Sequence, residues 1–250
     1  MTLHDITIVV VTSVLPSHPD TRIIDETIKN LRIHLPHNEI IMQIDGLREE
    51  QKDRKADYDE YKSRILWKCL HEWKNVLPVI FEEHEHQSGM MRKTIDDIKT
   101  PLLLYIEGDC PLTPDMPIDW QKCLNYIEKG EANTIRFHFE SVIPEPHKEL
   151  MLGGSADGFL KTIQWSQRPH LSTVAYYRDI VLPTLEEHLF IEDTFHSVVQ
   201  QDYYKDGMFG WYKHRLVIYH PEGNIKRSYT TDGREGTRKF TSDDEVWGYK

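Results

Sequence analysis

Three apolar runs in this chain end in polar residues. Ile6 to Val14 reads ITIVVVTSV, Glu39 to Gly46 reads EIIMQIDG, and Pro101 to Asp109 reads PLLLYIEGD. The first is a continuous β-branched stretch, the pattern of a parallel strand buried on both faces. Helical patterns separate the runs. Asp20 to Leu35 puts Ile23, Ile24, Thr27, Ile28 and Leu31 on one face and is closed by Pro36. Further helices are predicted over Asp57 to Asn75, Met90 to Ile98 and Asp119 to Gly130, with a short strand in VLPVIFEEH. Strands alternating with helices predict an α/β fold with a parallel sheet. Ligands of such sheets bind beyond the C-terminal strand ends. Thr12-Ser13, Asp45-Gly46 and Glu107-Gly108-Asp109 stand there and are candidates for one shared site.

The pattern changes after residue 130. Asn133 to Ser141 alternates like a half-buried strand, and Gly153 to Asp179 reads as loop and strand. Phe190 to Gly207 reads as a helix opened by Glu192, Asp193 and Thr194, Trp211 to Gly223 as a strand ending at His220, and the tail from Asn224 as an ordered flap or a partly disordered segment. A chain of 250 residues suits one large domain or two small ones. Its net charge of −11 argues against holding duplex DNA by broad phosphate neutralisation. Three scattered cysteines support neither a disulfide framework nor a zinc site, which points to a reducing, cytoplasmic setting. No apolar run approaches the ~18–20 residues that cross a bilayer. The N-terminal apolar run lacks a basic start and a small-residue cleavage site, so it is expected to be the first strand, not a signal peptide.

The order of these features resembles the nucleotide-sugar glycosyltransferases of the GT-A fold, most like family 2. The resemblance runs from Ile6 to His220: a Thr-Ser turn after the first strand, Asp-Gly after the second, an Arg-containing helix, an acid-x-Asp strand end, an Ile-Glu-Asp helix start and a strand-terminal His. It implies a Rossmann-like, mixed but mainly parallel sheet flanked by helices in a single domain over 1–223. The nucleotide-binding half would be about 1–130, the acceptor half about 131–223, and 224–250 a tail or flap. Thr12, Ser13, Asp45 and Arg92 are then expected at the nucleoside and phosphates, with Glu107, Gly108 and Gly154 at the donor. Asp109 and His220 would ligate Mn2+ or Mg2+, His214 being the fallback for His220. Asp193 would be the general base, Glu192 the second choice. Trp165 and Arg168 would meet the acceptor. The usual first acid of the motif is Asp, and Glu107 departs from it. His84 and His86 alternate if extended and are read as a solvated loop.

The implied reaction moves a sugar from a nucleoside-diphosphate sugar, a UDP-sugar, to a hydroxyl of a glycan or cell-surface precursor, with inversion. The partners are that donor and acceptor, with no transmembrane segment. Two alternatives stay open. One is a phage-type DNA glycosyltransferase acting on 5-hydroxymethylcytosine in the host cytoplasm, using the basic cluster Lys226, Arg227, Arg234, Arg238 and Lys239. The other is a non-catalytic nucleotide-sugar-binding module. A nucleotidyltransferase is disfavoured because TSVLPSHPDTR has no glycine-rich loop.

Overall fold

The computed structural model describes residues 1–153, 157–186, 189–221 and 224–231. Its strands are β1 (Ile6–Thr12), β2 (Ile40–Ile44), β3 (Val76–Ile80), β4 (Leu102–Glu107), β5 (Thr134–Arg136), β6 (Phe159–Lys161), β7 (His170–Thr173) and β8 (Leu216–Tyr219). The helices are α1 (Arg22–His34), α2 (Lys55–His71), α3 (His86–Thr94), α4 (Trp120–Glu128), α5 (Val174–Tyr176), α6 (Ile191–Asp206) and α7 (Met208–His214).

All seven residues of β1 are buried, as its β-branched run requires. β2 and β4 flank it in parallel, and β3 extends the sheet beyond β2. The whole sheet has the order β3-β2-β1-β4-β7-β5-β8-β6. β7 runs antiparallel to both β4 and β5, β8 parallel to β5, and β6 antiparallel to β8. The sheet is therefore mixed and mainly parallel, in agreement with the sequence. Because β7 is reversed, the residues just before it lie at the same sheet end as the C-terminal tips of β1, β2 and β4.

Local boundaries differ from the sequence pattern, with most consequence for the site and its supports in three places. α3 begins at His86, a turn before the predicted Met90, and carries the 84–88 segment into the sheet end. The predicted strand over Asn133 to Ser141 keeps ladder geometry only at Thr134–Arg136. Beyond it, the His138 carbonyl accepts the Arg227 and Ser228 N–H groups, so 224–231 packs across the body. Third, Trp211 to His214 are helical, not extended. α7 ends where Arg215 adopts a left-handed φ of 49°, and only then does β8 start. No helix among the described residues is long and apolar enough to cross a membrane.

The α6–α7 corner depends on Gly210. A Cβ there would stand 2.1 Å from the Asp202 carbonyl oxygen, a backbone atom that cannot swing aside. Gly210→Ala is expected to destabilise the fold by about 1–3 kcal/mol, the usual cost of overpacking. Urea denaturation measures this, and an unchanged midpoint would contradict the close helix approach.

Candidate active site

The C-terminal ends of β1, β2 and β4 open into a cleft of about 630 Å3. Its β1 side is a built loop. The Tyr61 hydroxyl lies 3.0 Å from Thr12 Oγ1, and the Tyr58 hydroxyl donates to the Asp45 carbonyl at 2.7 Å. His18 stacks on Tyr61 with ring centroids 3.7 Å apart. Burial, then the nearby Arg54 charge, pushes His18 down to about 3, so it packs as a neutral ring. Arg54 donates to the Leu15 and Pro16 carbonyls at 2.7 and 3.0 Å. These contacts leave Ser13 exposed at the cleft edge while the Thr12 hydroxyl is occupied by Tyr61.

On the β2 side, Asp45 is 2% exposed and saturated by protein donors. One oxygen accepts the Gly46 and Glu85 N–H groups at 2.9 and 2.8 Å. The other accepts the His86 N–H at 3.2 Å and stands 2.9 Å from His84 Nδ1. Gly46 permits this clamp, because a Cβ would lie 2.2 Å from the Glu83 carbonyl carbon. Asp45 thus lines the cleft as a brace, not as a carboxylate with spare capacity for a base. The same clamp holds His86 at a left-handed φ of 58° and sets both imidazoles into the cleft wall. Phe190 meets His86 edge-on at 5.4 Å. The sequence reading of His84 and His86 as a solvated loop is therefore corrected: the early start of α3 pulls them inward.

The floor is the β4 tip. Glu107 and Asp109 point to the cleft around Gly108, whose N–H donates to the Val11 carbonyl at 2.7 Å. Gly108 serves packing: a Cβ would lie 3.2 Å from Val11 O and from Ile24 Cδ1. Burial, then the Asp109 charge, pushes the Glu107 carboxyl up to about 8, while Arg168 opposes the shift. Gln87, from α3, donates to Glu107 Oε1 at 2.6 Å. Arg168 Nη1 lies 3.4 Å from Cys110 Sγ, with its guanidinium 4.0 Å above the Phe139 ring. Ligand atoms of Glu107, Asp109 and Cys110 all lie within 4.8 Å of one another. That spacing fits one divalent ion, and two converging carboxylates fit Mn2+ or Mg2+.

Other predicted residues fall differently. Glu192, at the start of α6, lines the cleft and accepts the Gln167 N–H at 2.9 Å. Asp193 is exposed beside it, and its charge acts on His86. Arg92 turns away from the cleft and donates to the Leu182, Leu185 and Glu186 carbonyls, so it braces a loop and does not meet a nucleotide. Trp165 is 2% exposed and bonded to Gln167 Oε1 at 2.8 Å, a core ring and not a stacking platform. His220 is exposed outside the cleft lining. It follows β8, three strands from β4, which is about 14 Å at the usual strand spacing. That is too far for a shared metal sphere with Asp109 in this conformation. The fallback His214 is fully buried between Tyr176 and Asp202, at 2.8 Å from each. Arg227 spends its guanidinium on the Pro117, Asn224 and Lys226 carbonyls, which removes it from any phosphate-contacting cluster. Gly154, Arg234, Arg238 and Lys239 lie outside the described residues. Sequence reasoning missed Gln87, His84, His86 and Cys110, all cleft residues.

No protein-family model matches the chain, and no curated protein matches it in sequence. Its structure is similar to that of S. aureus TarS 1-349 in complex with UDP-GlcNAc: TM-score 0.54, 12% identity, 97% of this chain and 64% of that one covered. It is also similar to the mannosyltransferase PcManGT from Pyrobaculum calidifontis in complex with GDP-Man and Mn2+: TM-score 0.52, 10% identity, 89% of this chain and 56% of that one. The chain thus spans less than two thirds of the length of either. At these identities the shared property is the architecture, and with its mixed eight-stranded sheet the chain has the GT-A glycosyltransferase fold.

Proposed function

We propose that this chain is a metal-dependent glycosyltransferase. It moves a sugar from a nucleoside-diphosphate sugar, a UDP-sugar, to a hydroxyl of a glycan or cell-surface precursor, with inversion. One observation carries the reading: the acid-x-acid tip of β4, the Thr-Ser turn and the β2 tip converge on a single cleft of about 630 Å3. The similar structures with UDP-GlcNAc and with GDP-Man and Mn2+ support it.

Asp109 and Glu107 would hold Mn2+ or Mg2+, which as a Lewis acid stabilises the charge that develops on the departing diphosphate. Ser13 and the first-loop backbone face the nucleoside. Arg168, beside the acid tip, supplies fixed positive charge on the side of the site that receives the acceptor. The acceptor oxygen attacks the anomeric carbon as that carbon's bond to the diphosphate oxygen breaks. Asp193 takes the acceptor's hydroxyl proton as general base. Glu192 holds the Gln167 N–H and so positions the segment carrying Arg168. A panel of nucleotide sugars with and without Mn2+, read by thermal shift and then by nucleoside-diphosphate release, tests the whole reading. No stabilisation and no release with any donor would refute it.

Three tests, with four variants, address the parts. Asp109→Asn is expected to abolish metal-dependent donor binding in calorimetry while circular dichroism stays that of the wild type; unaltered donor affinity would remove Asp109 from the site. Asp193→Asn should keep donor binding and lower turnover by ~10²-fold or more. Full turnover in Asp193→Asn together with loss in Glu192→Gln would exchange their roles. The third concerns charge. Glu107 keeps its proton in the folded protein to about pH 8, against an ordinary value of 4.5. The folded state thus binds more protons than the unfolded one between those values, so stability falls as pH rises through that window. In metal-free buffer, Glu107→Gln is expected to flatten this fall in urea denaturation across the same pH range. An unchanged slope would show that the carboxyl is already ionised when folded.

A further inference from the structure

The β4 tip holds a feature that the glycosyltransferase reading does not use. Cys110 is 2% exposed, yet it lines the cleft and faces charge of both signs. Its sulfur lies 3.7 Å from Glu107 Oε2 and 3.4 Å from Arg168 Nη1. A cysteine that merely fills a core packs against apolar groups. Here the thiol completes a three-donor set with Glu107 and Asp109 inside 4.8 Å.

A second, independent observation lies on α3. Gln87 is 6% exposed and its amide nitrogen is fixed on Glu107 at 2.6 Å. Its Oε1 is buried in the same cleft wall without a hydrogen-bond partner. A buried acceptor left unpaired costs free energy unless a ligand, an ion or its water satisfies it. An acceptor of this kind on the group that orients Glu107 marks a position for a cation or for water bound to one.

We propose that Cys110 is a sulfur ligand at this centre. The site then takes a mixed oxygen–sulfur set, with Gln87 as the positioning residue that aims Glu107. The proposal rests on the metal-dependent reading above and extends it to ion selectivity. Carboxylates alone favour hard ions such as Mn2+ and Mg2+, whereas a thiolate favours borderline and soft ones such as Co2+, Zn2+ and Cd2+. On coordination the thiol proton passes to solvent, and the ion's own charge must offset burial and the neighbouring Asp109 and Glu107 charges, which hold the thiol well above its ordinary range, with Arg168 only partly opposing them. Thiophilic ions would therefore compete for a centre that serves Mn2+, which makes the protein sensitive to them.

The test titrates the full chain with Co2+ and follows the thiolate-to-cobalt charge-transfer absorption in the near ultraviolet, with Mn2+ binding followed in parallel by electron paramagnetic resonance. The wild type is expected to show the band. Cys110→Ser and Cys110→Ala, checked by circular dichroism, should bind Co2+ without it, and Cd2+ should displace Mn2+ less readily from them than from the wild type. Gln87→Ala should weaken Mn2+ binding by about tenfold or more, the usual effect of losing a group that orients a ligand. Co2+ binding to the wild type without the band, or equal Cd2+ competition in the Cys110 variants, overturns the sulfur ligand and leaves the metal-dependent reading intact. Absence of Mn2+ and Co2+ binding in the wild type overturns both. Unchanged Mn2+ affinity in Gln87→Ala overturns the positioning role.

Discussion

Asp45 is the brace on which the cleft is built. A buried carboxylate is costly unless donors replace its water. Here three backbone N–H groups do so, from Gly46, Glu85 and His86. Bonds of this charge-assisted kind are the stronger class. They tie the β2 tip to the chain entering α3. The tie fixes where α3 begins, and the start of α3 decides which of its residues reach β4. Gln87 then falls on Glu107. His86 is held in a left-handed conformation that a residue with a Cβ adopts only when its surroundings enforce it. Gly46 is part of the same device, since any side chain there would strike the Glu83 backbone.

The floor of the cleft is organised by charge. Glu107 and Asp109 crowd the same small volume, and burial, then the Asp109 charge, penalises ionisation of Glu107. Arg168 is the cation that partly offsets this, yet its guanidinium is also committed to the Phe139 face. A site of this composition prefers a proton on Glu107 or a cation shared with Asp109. That alternative is why the pH response of the metal-free protein and its metal affinity report on the same pair of carboxylates.

The strand tips were legible in the sequence for a physical reason. Buried parallel strands read as unbroken apolar runs, so the residue at which polarity returns marks the sheet end. Thr12, Asp45, Glu107 and Asp109 stand at such points, and all four border the cleft. The helix between β3 and β4 was harder. The family resemblance points to Arg92 on it, but Gln87 and Arg92 are five positions apart, roughly 140° around a helix of 3.6 residues per turn. One faces Glu107 and the other the 182–186 carbonyls. Nothing in the periodicity of so short a helix said which. The positions of His84 and His86 are hidden for a related reason: an extended reading puts them on opposite faces, and the clamp on Asp45 that turns both inward is a tertiary contact. The helix over Trp211 to His214 is not legible in its pattern because aromatic residues suit strand and helix alike, and the deciding feature is Gly210, whose missing Cβ lets α7 lie on α6.

Topology explains why the second half contributes some predicted residues and withholds others. β7 is antiparallel to β4, with His170 opposite Tyr105. The chain entering β7 therefore passes the β4 tip, and Arg168, two residues earlier, lands beside Glu107 and Cys110. Trp165 enters the core on the same segment, because its indole N–H finds the Gln167 side chain two residues on and not a partner across the cleft. β8 is parallel to β5 and ends at the correct edge of the sheet, but β7 and β5 stand between it and β4. A strand-terminal histidine can look equivalent to a strand-terminal acid in sequence and still be laterally remote. What brings residues to this site is adjacency to β4 in the sheet order, and sequence order conceals it because the last strands do not pair consecutively.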